Sequence, residues 1–168
     1  MTTAEQVREV LAQVTDPEIP VITIEDLGIL RHVAVEGEHV TVTITPTYSG
    51  CPAMDEIRAD ITAALAARGV TDVDVRTVLL PAWTTDWMSE AGRESLRAYG
   101  IAPPTRRAAG PVPVALGLPV PRVAAAAPAC PQCRSADTAE LTRFSSTSCR
   151  SMWRCRSCRE PFDHFKDH

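Results

Sequence analysis

Four of the six cysteines in this 168-residue chain fall into two Cys-x-x-Cys pairs, Cys130-Pro-Gln-Cys133 and Cys155-Arg-Ser-Cys158, with 21 residues between them. Two tight turns that each present two thiolates suit one tetrahedral ion, and zinc in a structural role is the default, ahead of iron or redox chemistry. In a chain expected to be cytoplasmic the pairs read as metal ligands before disulfides. The other two cysteines stand apart. Cys51 lies in Thr45-Pro-Thr-Tyr-Ser-Gly-Cys-Pro52, where an alternating apolar run ends and a helical pattern begins. Pro52 suits a first helical position, because it has no N–H to leave unpaired, and this puts Cys51 at the N-cap. A thiol there meets the helix dipole and unpaired N–H groups, which favour thiolate, while Asp55 and Glu56 oppose it. Cys51 is therefore a candidate reactive thiol, weighed against a small apolar residue filling the corner. Cys149 is a spare: a free thiol, or a substitute ligand or exposed redox contact. His164 and His168 are expected to be exposed, since four cysteines already complete a tetrahedron.

The elements that must position these groups can be read from periodicity. Thr3-Ala-Glu-Gln6 has the form of a capping box, and Val7, Val10, Leu11 and Val14 mark one helix face. Asp16-Pro-Glu-Ile-Pro20 ends that helix, because two prolines remove donors and fix φ. Residues 29–35, the turn Glu36-Gly-Glu38 and the run Val40-Thr-Val-Thr-Ile44 make a hairpin. Met54, Ile57, Ile61, Ala64 and Leu65 recur at helical spacing before Gly69. Val73, Val75 and Leu79 give a third strand, and Ser89 caps a last helix closed by Gly100. The order αββαβα predicts an α+β domain over residues 1–101, a small three-stranded sheet packed with helices.

Residues 102–129 hold 7 of the 14 prolines and 9 alanines, the composition of a semi-rigid linker. Residues 130–168 are the expected ribbon, with short strands around Glu140–Phe144, Met152-Trp153 and Pro161–Phe165. Thirty-nine residues bury too little apolar surface to fold unaided, so the metal would supply the missing stability. The linker suggests two independent cores. The net charge of −4 is uneven, with 7 Arg against 16 Asp and Glu in residues 1–101 and an excess of basic residues after them. An acidic larger domain is a poor nucleic-acid binder. No apolar run reaches the roughly 18 residues of a membrane span, and the N-terminus has no signal-like core.

Asp16-Pro-Glu18, Asp26-Leu-Gly28, Thr47-Tyr-Ser-Gly-Cys-Pro52 and the Trp83 segment together resemble the iron-sulfur (metal-sulfur) cluster assembly domain family, whose members share a cysteine at the position of Cys51. Pro46 to Pro52, Pro81-Ala-Trp-Thr-Thr-Asp-Trp-Met88 and Cys155-Arg-Ser-Cys-Arg-Glu-Pro-Phe162 resemble more narrowly the PaaD (PaaJ) family of subunits of bacterial phenylacetyl-CoA epoxidases. These are multicomponent di-iron monooxygenases of aerobic phenylacetate degradation. The resemblance implies an accessory, non-catalytic role beside the other epoxidase subunits, with Cys51 transiently handling iron or an iron-sulfur cluster. The implied client is the iron-sulfur flavin reductase. The sequence agrees with that division of labour: it has no Glu-x-x-His pairs for a di-iron site and no Gly-x-Gly-x-x-Gly for a dinucleotide.

Two other roles compete: a docking subunit without maturation chemistry, and a transferase using Cys51 as nucleophile. The second needs a base, and the histidines of the first domain, His32 and His39, fall on the hairpin. Arg143, Arg150, Arg154, Arg156 and Arg159 read as a solvated face or protein contact rather than a nucleic-acid groove. Trp83 and Trp87 read as packing, with a client-facing wall as the alternative.

Overall fold

The computed structural model describes residues 2–105 and 127–167, so most of the expected linker, and His168, lie outside the described residues. Helix α1 (Ala4–Leu11) opens on the predicted capping box: the Thr3 hydroxyl accepts from the Gln6 N–H at 3.2 Å and the Gln6 side chain accepts from the Thr3 N–H at 3.0 Å. Two of four N-terminal donors are thereby satisfied, and Val7 and Leu11 turn inward. Strands β1 (Leu30–Glu36) and β2 (His39–Ile44) pair antiparallel about Gly37, whose φ of +66° costs a glycine nothing. Val40, Val42 and Ile44 are fully buried while Thr41 and Thr43 lie on the other face, as a period of two requires.

Helix α2 (Ala53–Ala66) crosses over to β3 (Val73–Thr77), which pairs parallel with β2 and leaves β2 central. Met54, Ile57, Ile61 and Leu65 are its buried face. β3 stops short of the expected span. Its partner ends at Ile44, so Leu79 leaves the sheet and is 55% exposed.

After the single 3₁₀ turn Thr85–Trp87, Ser89 caps α3 (Glu90–Ala98) by accepting from the Gly92 N–H. The Ser89 hydroxyl also donates to Asp26 at 2.5 Å, and the Leu27 carbonyl accepts from Trp83 Nε1 at 3.0 Å. Gly28 has φ +79°, and a Cβ there would lie 2.7 Å from Trp87 Cβ. Asp26-Leu-Gly28 thus holds the tryptophan segment and α3 against the sheet. It is an anchoring motif, and Trp83, 5% exposed, is core rather than a client-facing wall.

The ribbon consists of β5 (Thr138–Thr142), β6 (Arg150–Cys155) and β7 (Pro161–Phe165), antiparallel in sequence, with β4 (Ile101–Ala102) added in parallel to β7. Here the structure departs from two independent cores. Residues just after α3 complete the ribbon's sheet, and Phe165 and Cys149 are buried in the same cluster as Leu11, Ile57 and Met88. Phe165 stacks at a tilt on Trp83, 6.0 Å between centroids. Arg93, 4% exposed, donates to the carbonyls of Pro104 and Thr85 at 2.6 Å each and ties α3 to the strand leaving it. A Pro/Ala-rich composition marks the stretch between two folded segments, but it carries no information on whether the second segment packs back against the first.

Candidate metal centre and the Cys51 corner

Cys130 and Cys133 sit on one turn, Cys155 and Cys158 on another, and the two turns are built alike. The Cys130 N–H donates to the Ser135 carbonyl at 2.9 Å and the Cys155 N–H to the Glu160 carbonyl at 3.0 Å. The residue after each second cysteine, Arg134 or Arg159, is in the left-handed region, at φ 62° and 70°. Such turns aim backbone N–H groups at sulfur: the Cys158 N–H lies 3.4 Å from Cys155 Sγ. All four sulfurs fall within 4.8 Å of one another, with Cys130 to Cys158 at 3.7 Å and Cys133 to Cys155 at 3.5 Å. Four thiolates at the zinc–sulfur distance of about 2.3 Å from one ion are about 3.8 Å apart, so this donor set fits a tetrahedral dication. The thiols also divide as a crowded set must. The Cys158 N–H lowers Cys155 to about 6. Cys158 is pushed up to about 12: the Glu160 backbone N–H favours its thiolate, but desolvation and the three neighbouring thiols outweigh that. A dication removes this mutual repulsion.

Cys51 lies one residue outside the position expected for it. Pro52 is the N-cap of α2 and makes no side-chain cap, because it has no oxygen to offer the first turn. Cys51 closes a turn on the Tyr48 carbonyl at 3.3 Å and is half-buried. Its thiol is pushed up rather than down. Burial is the main cause; the Ala53 N–H favours thiolate but is outweighed by that burial together with Glu18, Asp16 and Cys149, all of which disfavour a further negative charge. The expectation of a dipole-activated thiolate is thus overturned by burial and acidic neighbours.

Those neighbours come from two directions. Asp16, 6% exposed, accepts from the N–H groups of Glu18 and Ile19 at 2.8 and 2.9 Å, the bonds that bend the chain after α1. From the ribbon comes Cys149, and beside it Arg150, which acts on Asp16, Glu18 and Cys149 and is paired with Asp163 at 3.1 Å and bonded to Thr147. The Tyr48 hydroxyl meets the Ser148 side chain. Cys149 is therefore buried at the seam, 5% exposed, instead of an exposed redox contact, and it lies outside the four-cysteine cluster in which a substitute ligand would sit.

His39 pairs with Asp72 at 2.9 Å at the opposite end of β2 from the Cys51 loop, and His32 is exposed on β1. Neither is among the groups with the largest effects on Cys51. His164 is buried at 7% exposure, contrary to expectation, because its alternate position on β7 faces Ser151 and Trp153 across the sheet. Of the ribbon's basic residues Arg150 is buried, Arg156 pairs with Asp137, Arg154 bonds the Arg159 carbonyl, and Arg143, Arg154, Arg156 and Arg159 are exposed. Sequence reasoning missed Arg93 and the seam itself. Of the two arginines in the amphipathic α3, Arg93 and Arg97, the sequence gives no signal that the first turns inward.

Residues 4–79 match the family described as iron-sulfur cluster assembly protein, and residues 120–166 that described as PaaD zinc beta ribbon domain. A protein of Escherichia coli K12, named as a putative subunit of 1,2-phenylacetyl-CoA epoxidase, is 47% identical over 96% of this chain and 93% of its own length. An "Fe-S protein maturation auxiliary factor" of Porphyromonas gingivalis is 39% identical over 54% of this chain and 87% of its own. Among solved structures, a domain of unknown function (DUF59) from Bacillus anthracis superposes with a TM-score of 0.52 at 29% identity, over 55% of this chain and 90% of that one.

Proposed function

Because this chain belongs to the PaaD family of epoxidase subunits, an iron-sulfur assembly domain followed by a PaaD zinc ribbon, we propose that it is a non-catalytic accessory subunit that helps install a metal centre in a partner. Cys51 handles the iron or iron-sulfur cargo. The partner is another subunit of a phenylacetyl-CoA epoxidase, the iron-sulfur flavin reductase in the first instance. The observation carrying this reading is the Cys51 corner: a half-buried free thiol on the loop between β2 and α2, where the acidic groups Glu18 and Asp16, and no histidine of the described residues, have the largest effects of other side chains on it apart from Cys149. A nucleophilic transferase needs an adjacent base, whereas transient binding of a thiophilic cargo needs a thiol that gives up its proton only when the cargo arrives. Zinc is the metal we assign to Cys130, Cys133, Cys155 and Cys158, where it would crosslink the two turns and supply folding energy.

Deleting the gene in a strain that degrades phenylacetate and purifying the reductase anaerobically tests the reading. The reductase should lose most of its iron and acid-labile sulfide. A full complement of both in the deletion strain would overturn maturation as the role.

Among the described residues no helix is long and apolar enough to cross a membrane.

A further inference from the structure

Beside the Cys51 corner the ribbon exposes an aromatic ring on a loop that is held in place. Phe144 is 65% exposed, and Leu141, in the same exposed run of residues 140–144, is 54% exposed. Thr142 Oγ1 holds both backbone groups of Phe144, donating to its carbonyl at 3.0 Å and accepting from its N–H at 3.3 Å. Lys166 Nζ stands 4.0 Å from the ring centroid and donates to the Ser148 carbonyl at 2.8 Å. That carbonyl takes one of the three N–H donors of the ammonium. A cation over a ring is an attractive arrangement, so both side chains are already ordered and lose little freedom on meeting a partner. The contacts continue to the thiol. Ser148 meets the Tyr48 hydroxyl, the Cys51 N–H donates to the Tyr48 carbonyl at 3.3 Å, and Tyr48 and Cys51 both pack against the buried cluster that contains Cys149. A standard interface buries about 800 Å² per partner and is roughly 30 Å across, so one protein seated on the ring also reaches Cys51. Charge gives this surface two ends: Lys166 and the exposed Arg143 lie at the ring, whereas the first turn of α2, just past Cys51, exposes Asp55 and Glu56.

We propose that Phe144, with Lys166 beside it and Leu141 in the same run, is the docking surface for the client subunit served by Cys51: the ring enters an apolar pocket of that protein, and a carboxylate at the pocket's rim pairs with the ammonium. The surface rests on the maturation role given above to Cys51 and adds how the client is held. Aromatic residues are enriched where interfaces are fully buried, and a carboxylate opposite Lys166, with basic groups opposite Asp55 and Glu56, fixes which way round the client sits. Anchoring on the ribbon leaves the thiol itself free for cargo. Strand addition along the free edge of β5 is disfavoured, because the register shifts between Glu140 and Thr142, and such an irregularity blunts an edge. The recognition therefore runs through side chains rather than through a backbone ladder.

The test titrates the full zinc-loaded chain into the purified iron-sulfur flavin reductase under anaerobic conditions, followed by calorimetry. Binding by the parent should be saturable and weaken as salt is raised. Phe144→Ala should weaken it at least tenfold with the zinc retained. Lys166→Glu should do the same and also remove the salt dependence, which a merely structural change at the seam would not. Tyr99→Ala, at an exposed aromatic on the other side of β4, should bind like the parent. No saturable binding by the parent, Phe144→Ala binding like the parent, or an equal loss with Tyr99→Ala would overturn the surface. So would a dimer of the parent that Phe144→Ala dissolves, since the ring would then belong to a second copy. Iron and sulfide in the reductase separate the two levels. A reductase left underloaded by gene deletion and by Phe144→Ala alike supports both. Full loading in the deletion strain, beside tenfold weaker binding by Phe144→Ala, removes the maturation role and leaves the docking surface, whereas a reductase emptied by deletion but filled by a Phe144→Ala variant of parental affinity removes the docking surface and leaves maturation.

Discussion

The assembly domain and the ribbon solve the same problem by different means. The first has β2 and α2 burying Val40, Val42, Ile44, Ile57, Ile61 and Leu65 completely, and draws its order mainly from its own apolar area. The ribbon's own buried cluster is Ala102, Cys130, Cys155 and Phe162, and one of those four is lent by the chain leaving α3. Its order comes from two outside sources: the four-sulfur site, and the core of its neighbour, into which it inserts Phe165 and Cys149. A small module that depends on its neighbour's core is also positioned by it, and this brings Thr147, Ser148 and Cys149 over the Cys51 loop.

The largest effect that would sharpen this comparison is metal removal. Structural zinc contributes on the order of 10 kcal/mol in isolated fingers, so a strong chelator, or Cys155→Ser, should unfold residues 130–167. Because Phe165 and Cys149 leave with them, the assembly domain should stay folded but lose stability. Amide exchange resolved by residue would follow this, with α2 and β2 protected and Trp83 and Met88 newly labile. Unchanged protection at Trp83 would return the chain to two separate cores.

Phe165→Ala comes next. It removes a fully buried ring that stacks on Trp83 and should cost about 3–5 kcal/mol, read as a lower midpoint in chemical denaturation with zinc still bound. A drop of under about 1 kcal/mol would mean that the ribbon contributes nothing to the shared core.

The clustering of four cysteines and the α+β order were legible because each rests on local pattern: two Cys-x-x-Cys turns, a capping box at Thr3, a period of two in β2 and of 3.6 in α2. The strand β3 was overextended because alternation at Leu79 continues in sequence after its partner has ended at Ile44. Cys51 was misjudged in the same way. Its place beside a helix start is a local fact, whereas its ionisation is set by burial and by Asp16, Glu18 and Cys149, which are distant in sequence. Asp26, Gly28 and Arg93 act as anchors through contacts with Ser89, Trp87 and Pro104, and no periodicity predicts such pairs.

A smaller effect comes from that ionisation. With the Cys51 thiol raised, its alkylation by iodoacetamide should be slow at pH 7 and climb about tenfold per pH unit through pH 9, equivalent to about 1.4 kcal/mol per unit. The sign is set by the neutral form being favoured when folded, so the same thiol lowers stability only as pH rises past its unfolded value. A rate already at its plateau at pH 7 would restore the dipole-activated thiolate. The smallest expected change is at Arg134, which holds φ 62° in the first metal turn. Arg134→Gly relieves a left-handed conformation and should raise the ribbon's stability by no more than about 1 kcal/mol, measured as resistance to chelator.

The most direct measurement of the central claim is Cys51→Ser in cells that carry the whole epoxidase, read as iron and sulfide in the purified reductase. Serine is nearly isosteric with cysteine but a poor ligand at neutral pH. The account predicts a variant that folds with its zinc in place and a reductase lacking most of its cluster. A folded Cys51→Ser protein beside a fully loaded reductase would contradict it and reduce Cys51 to a packing residue at the corner of β2 and α2.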